Sequence, residues 1–402
     1  MKKQRTVAPS DVGSLRGSRA RVGGRVLATN DEEVILGDAF GHVSIMGSID
    51  VEEGDLAVID VRKTPQGLVA ESLVEAHRPL SPPAPGRGET RRLIYDGVGV
   101  NLVARARVLT LTRRYFESER FLEVDTPLVV PSPGLDLHLD AMSADSGFLV
   151  TSPEYQMKRL LAGGIPRAFQ IAHVFRRDEL GARHNPEFTM LEWYRAFAEV
   201  DDVMADTEQL VTGIVHALTG GIELVVGEAK IDCEPPFERL PVAEAFERFA
   251  GTSQEDALRL AETDEETFFR LLVEKVEPAL ATIHHPVFLT DYPISQASLA
   301  RAKPSDPRVA ERFELYVGGI ELCNGFGELT DAKEQRDRLE RDQKARKTLG
   351  KPVYPIDERF LASLEEGMPP SAGNALGLDR LVALVTGESE IARVMPFPSN
   401  WL

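Results

Sequence analysis

Cysteine is almost missing from this chain: two residues in 402, Cys233 and Cys323, far apart and with no CxxC pair. That excludes a disulfide framework and a cysteine-rich zinc site, and leaves a reducing cytoplasm as the expected location. Long apolar runs are missing too; none approaches the roughly 18 residues of a membrane span. Residues 1–24 are polar and basic with no apolar core, so no export signal is expected. Basic surplus is absent: Lys and Arg number 46 against 64 Asp and Glu, a net charge of −18. Repulsion from phosphate backbones then disfavours nucleic acid as the main partner. No phosphate-cradling P-loop occurs, and Gly97-Val98-Gly99 lacks the third glycine and the preceding strand of a dinucleotide fingerprint. Internal repeats are likewise absent.

What is present reads as a globular chain, 43% hydrophobic and 27% charged, with enough length for one large and one small domain. Short β-branched runs at 22–28, 34–36, 43–49, 56–62 and 68–76 alternate with Gly, Asp and Asn turns. Five such strands predict a small OB-like barrel over residues 18–78. Between Arg19 and Arg78 stand six basic residues against eleven acids, with Phe40 the one aromatic. A groove that grips single-stranded nucleic acid needs the opposite: positive charge and stacking rings. The barrel therefore reads as structural or protein-docking. Residues 79–90, PLSPPAPGRGET, form a stiff proline-rich linker, and 91–402 form the larger domain. Within it, 102–121 has helical periodicity, and 331–349 is a charged helix that Asp331 and Glu334 start and Gly350 ends. The pair His284-His285 before Pro286 reads as a strand-entry loop, although adjacent histidines are also metal-ligand types.

Three segments carry chemistry. In 175–194, FRRDELGARHNPEFTMLEWY, two strands flank a charged turn. Period 2 places Phe188, Glu192 and Tyr194 on one face and Leu191 and Trp193 on the other. Arg183 and His184 in the turn suit polyphosphate oxygens, or else the hairpin is simply amphipathic with solvated charges. In 314–326, ELYVGGIELCNGF, a Gly318-Gly319 turn pairs Val317 with Ile320 and Tyr316 with Glu321. Glu314 and Glu321 become diagonal neighbours, and two facing carboxylates repel unless a cation lies between them; magnesium on ATP phosphates suits. Glu328 offers a third acid nearby. In 367–380, GMPPSAGNALGLDR, small residues allow close backbone approach to a ligand, and Arg380 follows to hold a phosphate or stack on a purine.

Together these segments resemble, in order, the motifs of the class II aminoacyl-tRNA synthetases. Residues 109–127 resemble the first, dimer-forming motif, 175–194 the second and 373–380 the third. The resemblance covers about residues 100 to 400 and implies an α+β fold: an antiparallel sheet flanked by helices. HNPEFTMLEWY, GIELCNGFGEL and TSPEYQMKRLL are similar to the lysyl branch. SPEYQMKRLL at 152–161, the DAxEQxxRxExD pattern at 331–342, ALGLDR at 375–380 and YPISQASLA at 292–300 resemble the elongation factor P lysine ligases. The barrel departs from the usual ligase.

The resemblance implies ATP and Mg2+ as cofactors, lysine or β-lysine and elongation factor P as substrates, a homodimer, and no use of tRNA. A lysyl-tRNA synthetase with a shortened anticodon domain is the alternative. It implies that Arg176 and Arg380 are catalytic, with Arg176 on the α-phosphate and substrate carboxylate. Phe188 and Arg380 would sandwich the adenine, positioned with Asn185 and Asp178, and with Leu322 and Gly377 beside it. Arg183 and His184 would meet the terminal phosphates, and Glu314 and Glu321 the metal. Ser152 and Glu154 would take the backbone side of the amino acid, and Glu192, Tyr194 and Glu328 its distal ammonium. Ala375, usually Gly in the synthetases, would floor the amino acid pocket. Asp178 stands where the family usually has Glu, and Glu179 is the alternative carboxylate.

Overall fold

The computed structural model describes residues 5–80, 88–137 and 139–402, so most of the proline-rich linker lies outside the described residues. The chain forms two compact units, Met1–Ala106 and Arg107–Leu402.

In the first unit, strands Arg19–Thr29, Glu33–Gly37, His42–Met46, Leu56–Thr64 and Gly67–His77 make a closed sheet. The first strand pairs antiparallel with both the second and the fourth, and the third runs parallel to the fifth. That is the closed connectivity of an OB-like barrel, as the alternation predicts. The inward residues, among them Val22, Val34, Leu36, Ile45 and Ile59, are fully buried. The third strand stops at Met46 rather than Ile49, because Gly47 turns left-handed at φ +115°. Arg19 and Arg62 pair with Glu71, Arg21 with Asp60, and Arg78 with Glu52, which leaves little free positive charge on the barrel. Phe40 is exposed.

The second unit is built on a nine-stranded sheet. Its strands are β1 (Leu122–Glu123), β2 (Arg167–Phe175), β3 (Glu187–Ala196), β4 (Glu238–Pro241), β5 (Val287–Pro293), β6 (Ala302–Lys303), β7 (Asp306–Val317), β8 (Ile320–Gly327) and β9 (Ser371–Gly377). The order is β4-β5-β7-β8-β9-β3-β2-β1, with β6 on β7. Neighbours are antiparallel except β4 with β5 and β1 with β2. One face buries Phe169, Leu191, Trp193, Phe313 and Leu315 against helices Val200–Thr219 and Leu378–Thr386. The predicted alternation along β3 is therefore real: Leu191 and Trp193 go to the core, Glu192 and Tyr194 to the opposite face. Helices Glu154–Ala162 and Glu358–Gly367 pack beside that second face around Tyr155, Phe360 and Leu361. Helix Ala332–Thr348 starts where predicted, with the Asp331 side chain accepting from the Glu334 amide at 2.9 Å.

Half of the 367–380 segment is strand, Ser371–Gly377. Its small residues make β9 the central strand between β3 and β8, running directly into helix Leu378–Thr386. A Cβ on Gly373 would lie 2.2 Å from the Tyr194 ring, so a large neighbour demands the glycine.

Candidate active site

The second face of the sheet opens into a cavity of about 690 Å3. All the residues expected to bind nucleotide, metal or amino acid line it except Asp178, Tyr194 and Glu328.

At one end sits an acid-rich pocket. Glu192, fully buried, accepts from Ser152 Oγ at 2.6 Å and from the Tyr194 hydroxyl at 3.0 Å. Ser152 stands just ahead of helix Glu154–Ala162 and also accepts from the Glu154 amide at 3.1 Å. One turn on, Lys158 is fully buried, its Nζ 2.6 Å from Glu154 and 2.5 Å from Glu328 Oε2. Glu328 is itself fully buried, and its Oε1 has no hydrogen-bond partner among the described residues. A Cβ on Gly373 would meet that same oxygen at 2.8 Å, which puts Glu328 Oε1 beside the Tyr194 ring. Burial, then repulsion from Glu154, pushes the Glu192 carboxyl up to about 8. Burial, relieved by the attraction of Lys158, leaves Glu328 at about 7. Three carboxylates around one resident ammonium form a pocket short of positive charge.

The opposite end is cationic. Arg176 lies over the Phe188 ring, 5.1 Å from its centroid, with Nε buried and without a hydrogen-bond partner among the described residues. Arg380 donates to the Glu321 carbonyl at 2.7 Å, and its Nη2 lies 2.9 Å from His184 Nε2. Burial and then the Arg380 charge hold His184 below the ordinary histidine value. Arg183 reaches the Gly319 carbonyl at 3.2 Å. Asn185 is fixed on both sides: Nδ2 donates to the Glu187 carbonyl at 2.5 Å, and Oδ1 accepts from the Ser399 amide at 2.9 Å. Asp178 takes a left-handed backbone at φ +63° and does not line the cavity, whereas Glu179 does.

Between the two ends runs the β7–β8 hairpin. Gly318 and Gly319 both take positive φ, 56° and 73°, as a two-residue turn requires. Tyr316 pairs with Glu321 and Val317 with Ile320, in the predicted register. A bulge then makes Leu322 an extra residue, and Glu314 pairs with Asn324 instead of Cys323. The bulge flips the alternation, so Glu321 and Asn324 both reach the cavity wall. Glu314 accepts from Tyr292 at 2.6 Å, Tyr316 at 2.9 Å and Arg312 at 2.6 Å. Burial, then repulsion from Glu314, pushes the Glu321 carboxyl up. The expected metal would find two protein carboxylates on this hairpin, Glu314 and Glu321. No group of three or more His, Cys, Asp or Glu suited to a metal occurs among the described residues. Such an ion draws its other oxygens from phosphate and water, as Mg2+ prefers.

Sequence reasoning passed over Lys158, Tyr292 and Arg312. Signals for them existed: Lys158 follows Glu154 at i+4, and Arg312 precedes Glu314 and Tyr316 on one face at period 2.

The family model for tRNA synthetases class II (D, K and N) matches residues 91–401. The elongation factor P--(R)-beta-lysine ligase of Proteus mirabilis is 41% identical over 325 residues, covering 74% of this chain and 94% of that protein. The same-named protein of Salmonella arizonae is 39% identical over 324 residues, with the same coverage, and that of Photorhabdus laumondii 40%.

Proposed function

The chain belongs to the class II tRNA synthetases of the D, K and N type, and from that membership we propose that it ligates a lysine-type amino acid to elongation factor P. It is a ligase. The observation that carries the choice of amino acid is the pocket of Glu154, Glu192 and Glu328, with Lys158 as its resident cation. A ligand with two ammonium groups supplies the missing charge, and (R)-β-lysine, named for the relatives, is the substrate of choice.

The reaction has two steps. The amino acid carboxylate attacks the α-phosphorus of ATP, giving the aminoacyl adenylate and pyrophosphate. A lysine amine of elongation factor P then attacks the adenylate carbonyl, forming an amide and releasing AMP. Arg176 holds the carboxylate and α-phosphate and spreads the charge that develops there. Phe188 and Arg380 sandwich the adenine; Asn185 with Asp178 or Glu179 orient it, Leu322 and Gly377 supply backbone beside it, and Arg183 and His184 meet the outer phosphates. Ser152 and Glu154 take the reacting end of the amino acid, Glu192, Tyr194 and Glu328 its distal ammonium, and Ala375 its floor. Glu314 and Glu321 hold Mg2+, which neutralises phosphate charge when bound. Positioning and electrostatics supply the catalysis, with no enzyme nucleophile.

Exposed Leu122, Leu128 and Val129 lie in and beside the edge strand β1, and support a homodimer through the first-motif region. Two free, buried thiols fit the cytoplasm. No helix among the described residues is long and apolar enough to cross a membrane. The domains divide as the barrel at 18–78, the linker at 79–90 and the ligase at 91–402. The deciding experiment offers the purified enzyme ATP, radiolabelled lysine or β-lysine, and either elongation factor P or tRNA. Label on elongation factor P supports the proposal; label on tRNA alone replaces it with a lysyl-tRNA synthetase.

A further inference from the structure

We propose that Lys158 is a positioning residue, a built-in ammonium that lets the carboxyl groups of the amino acid pocket ionise for the two ammonium groups of its substrate. This rests on the reading of a lysine-type substrate given above. Lys158 is fully buried, and its ammonium is paired with two carboxylates of the protein. Its neighbours Met157 and Leu161 are buried and apolar. An ammonium in such surroundings persists only if carboxylates hold it. Two do: Glu154 at 2.6 Å, one turn back on its own helix, and Glu328 at 2.5 Å, just past the end of β8.

In the reading given above, Glu154 serves the reacting amine and Glu328 the distal one, and both hold the same Nζ. Lys158 therefore ties the two amine subsites together through one charge. Once all three acids ionise on binding, they leave two negative charges against Lys158, the number a diamino acid neutralises. Without Lys158 a proton must take its place, on Glu328 or on Glu192. The other charged and titratable groups facing these acids are Tyr194, against Glu192, and Arg301, whose attraction reaches Glu328. Both carboxyls already sit high, at about 8 for Glu192 and about 7 for Glu328, so loss of a cation has room to hold them protonated at neutral pH.

The test is Lys158→Met in the full chain, which keeps length and removes charge. Lysine- or β-lysine-dependent pyrophosphate exchange is followed from pH 6 to 9.5, with KM taken separately for amino acid and ATP. Carboxylates bind ammonium only when ionised, so kcat/KM for the amino acid rises with pH in the wild type. In Lys158→Met the midpoint of that rise moves up by about one unit or more, KM for the amino acid climbs, and KM for ATP stays. Lys158→Arg, which keeps the charge, returns the midpoint towards wild type even if size slows it. An unmoved midpoint, with activity lost evenly across pH, overturns the proposal. If Lys158→Met does not fold, Lys158→Met/Glu328→Gln removes the charges in pairs; a folded protein with a near-wild-type midpoint supports the pairing, and failure of both to fold overturns it. A wild-type enzyme that exchanges with neither amino acid would sink the substrate reading itself, before any variant is made.

Discussion

Glu192 carries an ionisable group into a fully buried position on the cavity wall, and its pH behaviour follows from that. Its folded carboxyl sits near 8 against an ordinary 4.5, raised first by burial and then by Glu154. A raised carboxyl favours the folded state fully below its unfolded value, and that stability is lost as pH climbs through about 8. The free enzyme should thus lose melting temperature between pH 5 and 9, and a lysine-type ligand should restore it most at the alkaline end. At pH 7 Glu192 is largely protonated and Glu328 about half so, and ammonium binding should expel on the order of one proton. Calorimetric titrations in buffers of different ionisation enthalpy read that number; a value of zero would remove Glu192 and Glu328 from the binding site. Glu321 is raised for the same reasons, burial and then repulsion from Glu314, and Arg380 only partly answers, its Nη1 lying 3.4 Å from Glu321 Oε2. We expect Glu321→Gln to cut pyrophosphate exchange at least about a hundredfold, because metal charge stabilisation is worth several kcal/mol. Near-normal exchange at millimolar magnesium, in a protein with unchanged melting, would refute the metal assignment.

Strand β9 shows how an element made of small residues becomes a binding surface. It runs between β3 and β8, pairing Ala375 with both Glu192 and Asn324, so the Ala375 methyl stands in the cavity wall between an acid and an amide. That methyl should crowd the amine of α-lysine more than one carried on the β-carbon. One methyl in a tight pocket is worth about 1–3 kcal/mol, roughly 10- to 200-fold. Ala375→Gly should therefore move the kcat/KM ratio from β-lysine towards α-lysine, perceptibly enough for some tRNA charging to be sought. A wild-type preference for α-lysine, or an unmoved ratio, would speak against the ligase reading. Much of this element was legible beforehand: Ala375, Gly377 and Arg380 stood out by size and charge, and the alternation of β3 separated Trp193 from Glu192. The strand itself was not, because glycine and alanine have low strand propensity, and only the Tyr194 ring on neighbouring β3 explains why nothing larger than glycine fits at 373. The bulge at Leu322 was equally hidden, since no turn residue marks it; its effect is that Asn324, not Cys323, faces Glu314. Lys158 escaped notice because a lysine on a helix ordinarily points to water, and only its fully buried position reveals a partner in Glu328.

At the scale of the molecule, an acidic chain of net charge −18 concentrates its useful cations, Arg176, Arg183 and Arg380, at one end of one cavity. Every residue lining that cavity falls between Ser132 and Ile391, inside the second compact unit. The barrel has its own closed sheet and its own core of residues such as Val22, Ile45 and Ile59, and most of its arginines are spent on neighbouring acids. The ligases matched by this chain cover 74% of it, and the family model begins at residue 91. A domain with an independent core and no share in the chemistry should be removable without cost to adenylate formation. Deleting residues 1–88 is therefore expected to leave the amino acid- and ATP-dependent pyrophosphate exchange nearly unchanged. Transfer to elongation factor P is the step at which a protein-docking barrel would be missed, as a raised KM for that protein alone. If the shortened chain folds, by circular dichroism and a cooperative melt, yet forms no adenylate, the barrel belongs to the active site and the division at the linker is wrong. If both steps run as before, the barrel serves neither substrate, and its acidic surface must answer to a partner outside the reaction.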